Sequence, residues 1–72
     1  MTTPDLPGPA PLPRALYRVE EAAQLLALSR RHLYEEIRSG RLRTVKAGRA
    51  RRVPASAIAD YVALLEQETR AA

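Results

Sequence analysis

Nine of the chain's twelve basic residues fall between positions 30 and 52, a stretch that holds only two carboxylates. They are Arg30, Arg31, Arg38, Arg41, Arg43, Lys46, Arg49, Arg51 and Arg52, set against Glu35 and Glu36, a local net charge of +7. Elsewhere Arg14, Arg18 and Arg70 stand against six carboxylates, so the remainder carries −3 and the whole chain +4. Guanidinium and ammonium groups packed this densely suit the release of counterions from a polyanionic backbone. The asymmetry predicts one face that attracts nucleic acid and another that repels it.

Other chemistries find no support in the residue types. His32 is the single histidine and there is no cysteine, which argues against metal sites and excludes disulfides. Glu35 and Glu36 are adjacent, so on a helix they point to different faces and cannot work as a paired acid and base. No nucleophile is flanked by a base. Neither catalysis nor a cofactor is expected.

The elements that must position the basic residues follow from punctuation and periodicity. Residues 1–13 hold five of the six prolines, which fix φ and remove backbone donors. Residues 1–14 are expected to be a disordered tail, and residues 15–69 to form one small domain. No apolar run approaches the roughly 20 residues that span a bilayer. Without a basic start and an apolar core, the N-terminus is not a secretory signal, and a soluble, cytoplasmic chain is expected. The apolar set is mostly Ala, Leu and Val, with no Phe or Trp. Such a core can join three short helices but encloses no substrate pocket.

Val19, Ala22, Ala23 and Leu26 recur at helical spacing and predict a first helix over 19–26. Glu20 and Glu21 sit in its first turn, where the helix dipole favours negative charge. Ser29 is a strong N-cap, and a second helix is expected from Arg30 to Ser39, closed by Gly40. Leu33 and Ile37 should face inward with Leu28. Two helices joined by so short a turn make a helix-turn-helix.

Beyond Gly40 the period changes to two. Strands are expected at about 43–46 and 51–53, closed by a loop at 47–50, with Val45 and Val53 toward the core. A third helix is expected from Ala55 to about Thr69, with Ile58, Tyr61, Val62 and Leu65 on its inner stripe and Leu64 off it. The fold class is therefore mostly α with a small β-hairpin: three helices and a two-stranded wing.

This order of parts matches the way proteins hold duplex DNA, with the second helix in the major groove. Candidate contacts on that helix are Ser29, Arg30, Arg31, His32, Tyr34, Glu35 and Arg38. Ser29 and the free N–H groups of the helix start suit a phosphate, while Arg30 and Arg31 suit phosphate or guanine. Glu35 suits the amino group of cytosine, or an ion pair with Arg31 or Arg38. On the hairpin the candidates are Lys46, Arg49, Arg51 and Arg52, along the backbone or in a minor groove.

From Leu16 to Val62 the chain resembles the excisionase family of small DNA-binding proteins, related to the MerR-type winged helix-turn-helix. The matching stretches are Leu16-Tyr17-Arg18-Val19-Glu20-Glu21-Ala22-Ala23-Gln24-Leu25-Leu26, Leu28-Ser29-Arg30-Arg31-His32-Leu33-Tyr34 and Ile37-Arg38-Ser39-Gly40-Arg41-Leu42. Val45, Gly48-Arg49 and Arg52-Val53-Pro54 match the wing, and residues 58–62 match the closing helix. The resemblance implies a recognition helix at 29–39 and a DNA-contacting wing around 48–52. It also implies a phage- or plasmid-encoded protein acting at attachment sites, whose partners are double-stranded DNA, an integrase and copies of itself. Four residues depart from the family pattern. Arg18 replaces a Thr or Ser cap, Ala27 a Gly or Asn, Glu35 a basic residue, and Arg51 an aromatic one.

A MerR-like transcriptional regulator is the alternative of the same class. An interaction module using the last helix is the alternative from another class. RNA binding is disfavoured because no strand carries exposed aromatics.

Overall fold

Three helices and a three-stranded antiparallel sheet make up residues 14–71, the part of the chain that the computed structural model describes. The elements run β1 (Leu16–Tyr17), α1 (Val19–Leu26), α2 (Arg30–Arg38), β2 (Val45–Ala47), β3 (Ala50–Pro54) and α3 (Ala55–Ala71). The tail expected over residues 1–14 lies outside the described residues except for Arg14.

Helix α1 starts without a side-chain oxygen at Arg18; instead the Glu21 carboxylate accepts from the Arg18 N–H at 2.9 Å. It ends at Ala27, which is left-handed with φ 57° and ψ 37°. There the N–H of Leu28 reaches the carbonyl of Ala23 at 3.0 Å, satisfying an end-of-helix acceptor. That reversal turns the chain directly into α2. The Ser29 side chain accepts from the His32 N–H at 3.0 Å, the N-cap its residue type promised. Helix α2 stops at Arg38 rather than Ser39, with Ser39 as its cap and Gly40 beyond it at φ +86°.

The hairpin is longer on its second arm than expected, and it is shifted. Its strands are 45–47 and 50–54, instead of 43–46 and 51–53, because Gly48-Arg49 alone forms the turn and Ala47 pairs with Ala50. Gly48 has φ +66° and Arg49 does not have positive φ, the sign pattern of a type II′ turn. The sheet also has a third strand. Leu16 pairs with Pro54 and Tyr17 with Val53, so β1 joins β3 on its free side, giving the order β1-β3-β2.

The core is formed by Val19, Ala22 and Ala23 of α1, Leu33 of α2, Leu42, Val53 of β3, and Ala57 and Tyr61 of α3. Ile37, Leu28, Ile58 and Leu65 pack against its edge. Two expected core residues are not in it. Val45 is 40% exposed, because it pairs with Arg52, one residue out of phase with the buried Val53. Val62 is 38% exposed, because the inward stripe of α3 is centred on Ala57 and Tyr61. Leu64, off the expected stripe, is half-buried.

Candidate nucleic-acid interface

The first turn of α2 presents its candidates outward. Arg30 and Arg31 follow the Ser29 cap, where helix geometry leaves the first N–H groups without intrahelical partners. The Arg30 guanidinium lies 5.7 Å from the centroid of the Tyr34 ring, one turn on, and its Nη2 is 3.3 Å from Glu20 Oε2 of α1. Arg31 Nε is 3.6 Å from Glu35 Oε2, again one turn on. Of the two roles open to Glu35, the free protein displays the ion pair. His32 Nε2 is 3.5 Å from Glu36 Oε2. Arg38 is exposed at the far end of the helix, where positive charge also suits the dipole.

On the wing, register decides which cations meet. Lys46 stands directly opposite Arg51, so the two share a face of the β2–β3 ladder. Arg49 sits in the turn. Arg52, half-buried and paired with Val45, points to the other face. Arg51 Nη1 donates to Thr44 Oγ1 at 2.7 Å, and Arg52 Nη1 to the Arg51 carbonyl at 3.0 Å. Among the described residues no carboxylate pairs with Lys46, Arg49, Arg51 or Arg52. Like charges directly opposite on a ladder repel one another, and a phosphate between them would relieve that repulsion.

Two of the nine clustered cations serve the fold instead. Arg41 donates from Nε to Glu36 Oε1 at 2.9 Å and from both terminal nitrogens to Glu68 at 2.5 and 2.8 Å. Arg43 donates to Asp60 Oδ2 at 2.8 Å. The Tyr61 hydroxyl donates to Glu36 Oε2 at 2.6 Å. The Tyr61 bond, aided by Arg41, holds Glu36 below the ordinary carboxylate range against the opposing effect of desolvation. Burial and then the Glu36 bond push the Tyr61 phenol up to about 12. Sequence reasoning missed Glu36, Arg41, Glu68 and Tyr61 as a network. A signal existed: Asp60 and Glu68 are eight residues apart, hence on one face of α3, available to the basic segment after α2.

The interface is a set of side chains offered outward. Two grooves, of about 360 and 420 Å³, lie on α1 with β1 and on α3, and neither is lined by a residue of segment 30–52. Among the described residues no group of three or more potential metal ligands comes together. No described helix is long and apolar enough to cross a membrane.

Residues 16–63 match the family model of the helix-turn-helix domain. The chain belongs to that family. It is also 46% identical over 59 residues to a protein of Saccharopolyspora erythraea named a probable excisionase. That alignment covers 82% of this chain and 60% of the relative, so the chain spans about three-fifths of the length of the relative it matches. No solved structure matches it. The match bears out the resemblance read from the sequence: the chain is excisionase-like and carries a helix-turn-helix domain. The hairpin and third helix make it a winged form.

Proposed function

We propose that this helix-turn-helix protein binds double-stranded DNA at attachment sites and directs an integrase toward excision, without catalysing a step itself. The observation that carries the DNA-binding part is the uncompensated wing: Lys46 opposite Arg51, flanked by Arg49 and Arg52, beside a helix whose capped start faces outward. Helix α2 enters the major groove, where Arg30, Arg31, His32 and Tyr34 reach base edges and Ser29 with its neighbouring N–H groups takes a phosphate. Arg38, Lys46, Arg49, Arg51 and Arg52 hold the backbone on either side. The excision role rests on the similarity to the relative named an excisionase. A domain of this size covers few base pairs, so several copies bind side by side on repeated short sites. The protein then works in the cytoplasm, on the nucleoid.

The test is duplex binding by fluorescence anisotropy across a salt series. With about six phosphate contacts, log affinity falls with log salt at a slope near −5. Replacing Arg49, Arg51 and Arg52 together by Ala removes about half of that slope, and an unchanged slope rejects the wing. Footprinting on attachment-site and promoter fragments, with an excision assay that includes the cognate integrase, separates the excision role from transcriptional control.

A further inference from the structure

The cations of the interface fall into two electrostatic classes. On the wing, Lys46, Arg49, Arg51 and Arg52 carry no carboxylate partner among the described residues. On the helix, both arginines of the first turn have one. Arg30 is 3.3 Å from Glu20, which comes from α1, and Arg31 is 3.6 Å from Glu35 on its own helix. Neither carboxylate supports the core: their side chains are 54% and 58% exposed. Their consequence is local charge. A carboxylate within 4 Å of a guanidinium cancels most of the field that a phosphate a few ångströms away would feel, and at such distances salt screens little.

The pairing still leaves the arginines able to read a base. Arginine has five N–H donors. Glu35 faces Nε of Arg31, so both terminal nitrogens keep the end-on fork that suits O6 and N7 of guanine. Glu20 faces Nη2 of Arg30 while its guanidinium lies over the Tyr34 ring, 5.7 Å from the centroid, so Arg30 has two partners before DNA arrives. A guanidinium already oriented loses less freedom on binding.

We propose that Glu20 and Glu35 are specificity-determining residues: they keep Arg30 and Arg31 from acting as general phosphate anchors and orient them as base readers. This rests on the DNA-binding reading above. Affinity for any duplex then comes from the wing together with Arg38, and discrimination comes from a nearly neutral helix start. On a non-cognate duplex, where Arg30 and Arg31 meet phosphates, both carboxylates repel the backbone. On a cognate duplex they buttress the two guanidinium groups.

The experiment compares two probes: a 30-base-pair duplex of mixed sequence, and the duplex enriched by this protein from a random library. The variants are Glu20→Gln, Glu35→Gln and the pair, with Glu66→Gln on α3 as a control that removes the same charge elsewhere. Each helix-start variant tightens binding to the mixed duplex about threefold, the effect of a unit charge ~7 Å from a phosphate in water. The salt slope on that probe steepens by up to about 0.9 per carboxylate. Affinity for the selected duplex does not rise, so discrimination falls about threefold per substitution, while Glu66→Gln changes neither measure. Glu35→Gln alters an exposed helical position and keeps the test valid even where Glu20→Gln loosens the start of α1. Wild-type slope and discrimination in Glu35→Gln, or equal effects from Glu66→Gln, overturn the proposal while leaving DNA binding intact. A wild-type protein that retains neither duplex at low salt removes the DNA-binding reading, and this proposal with it.

Discussion

The Tyr61 hydroxyl donates to Glu36 Oε2 at 2.6 Å, joining a buried residue of the last helix to the helix that carries the candidate base contacts. Arg41 completes the clamp, holding Glu36 with one nitrogen and Glu68 with two others. The Glu36 main-chain carbonyl also accepts from the N–H groups of Arg41 and Leu42, which fixes the exit from α2. The orientation of α2 on the domain therefore depends on polar side chains as well as on Leu33.

Tyr61→Phe isolates the hydroxyl. The ring stays in the core, but Glu36 loses its shortest partner. A hydrogen bond to a charged group is worth about 1.5–3 kcal/mol, and urea denaturation of Tyr61→Phe should show a loss in that range. A loss below a few tenths of a kcal/mol would mean that Arg41 alone holds the carboxylate.

Stability should fall at both ends of the pH scale, for opposite reasons. Glu36 is held below its ordinary value, so its contribution is present above about 4.5 and disappears as pH drops through the lower folded value. Tyr61 is pushed up from 10.0 to about 12, so its contribution is complete below pH 10 and disappears as pH rises toward 12. Urea midpoints measured from pH 3 to 12 should show both limbs. Tyr61→Phe should lack the alkaline one.

Much of the fold was legible because local rules and the tertiary structure agree. The 19, 22, 23, 26 spacing, the Ser29 cap, the Gly40 stop and the Gly48 turn each dictate a backbone event that occurs. Val45 was misplaced although parity was available: any hairpin centred on Gly48-Arg49 pairs 45 with 52, which puts Val45 and Val53 on opposite faces. Strand β1 was hidden because two residues carry no periodicity. The charge cluster was legible as a cluster, but its division was not. That Arg41 and Arg43 turn to α3, while Arg30 and Arg31 take Glu20 and Glu35, depends on helix rotation and on contacts up to 27 residues apart.

Ala27 holds a left-handed conformation where the family pattern has Gly or Asn. Its Cβ crowds the following carbonyl there, a cost of roughly 1 kcal/mol that Gly avoids. Ala27 is exposed and at the helix end, so its methyl group contributes little packing. Ala27→Gly should raise stability by up to about 1 kcal/mol, read from the urea midpoint at constant slope. A decrease would mean that the gain in backbone freedom of the unfolded chain outweighs the relief of strain.

The wing places function and stability in opposition at one residue. Arg51 lies directly opposite Lys46, a like-charge pair that weakens the free hairpin, and under the proposed DNA binding its removal takes away a phosphate ligand. Thr at position 51 suits a strand and carries no charge. Arg51→Thr should hold or raise the melting temperature of the free protein while weakening duplex binding and flattening the salt slope by about 0.9. Lys46→Thr should do the same, because either change relieves the repulsion. A melting temperature that falls in Arg51→Thr alone would show that the Arg51 bond to Thr44 Oγ1 outweighs the repulsion, a fall in both would show that the pair does not weaken the free hairpin, and a salt slope unchanged in both would remove this face of the wing from the DNA.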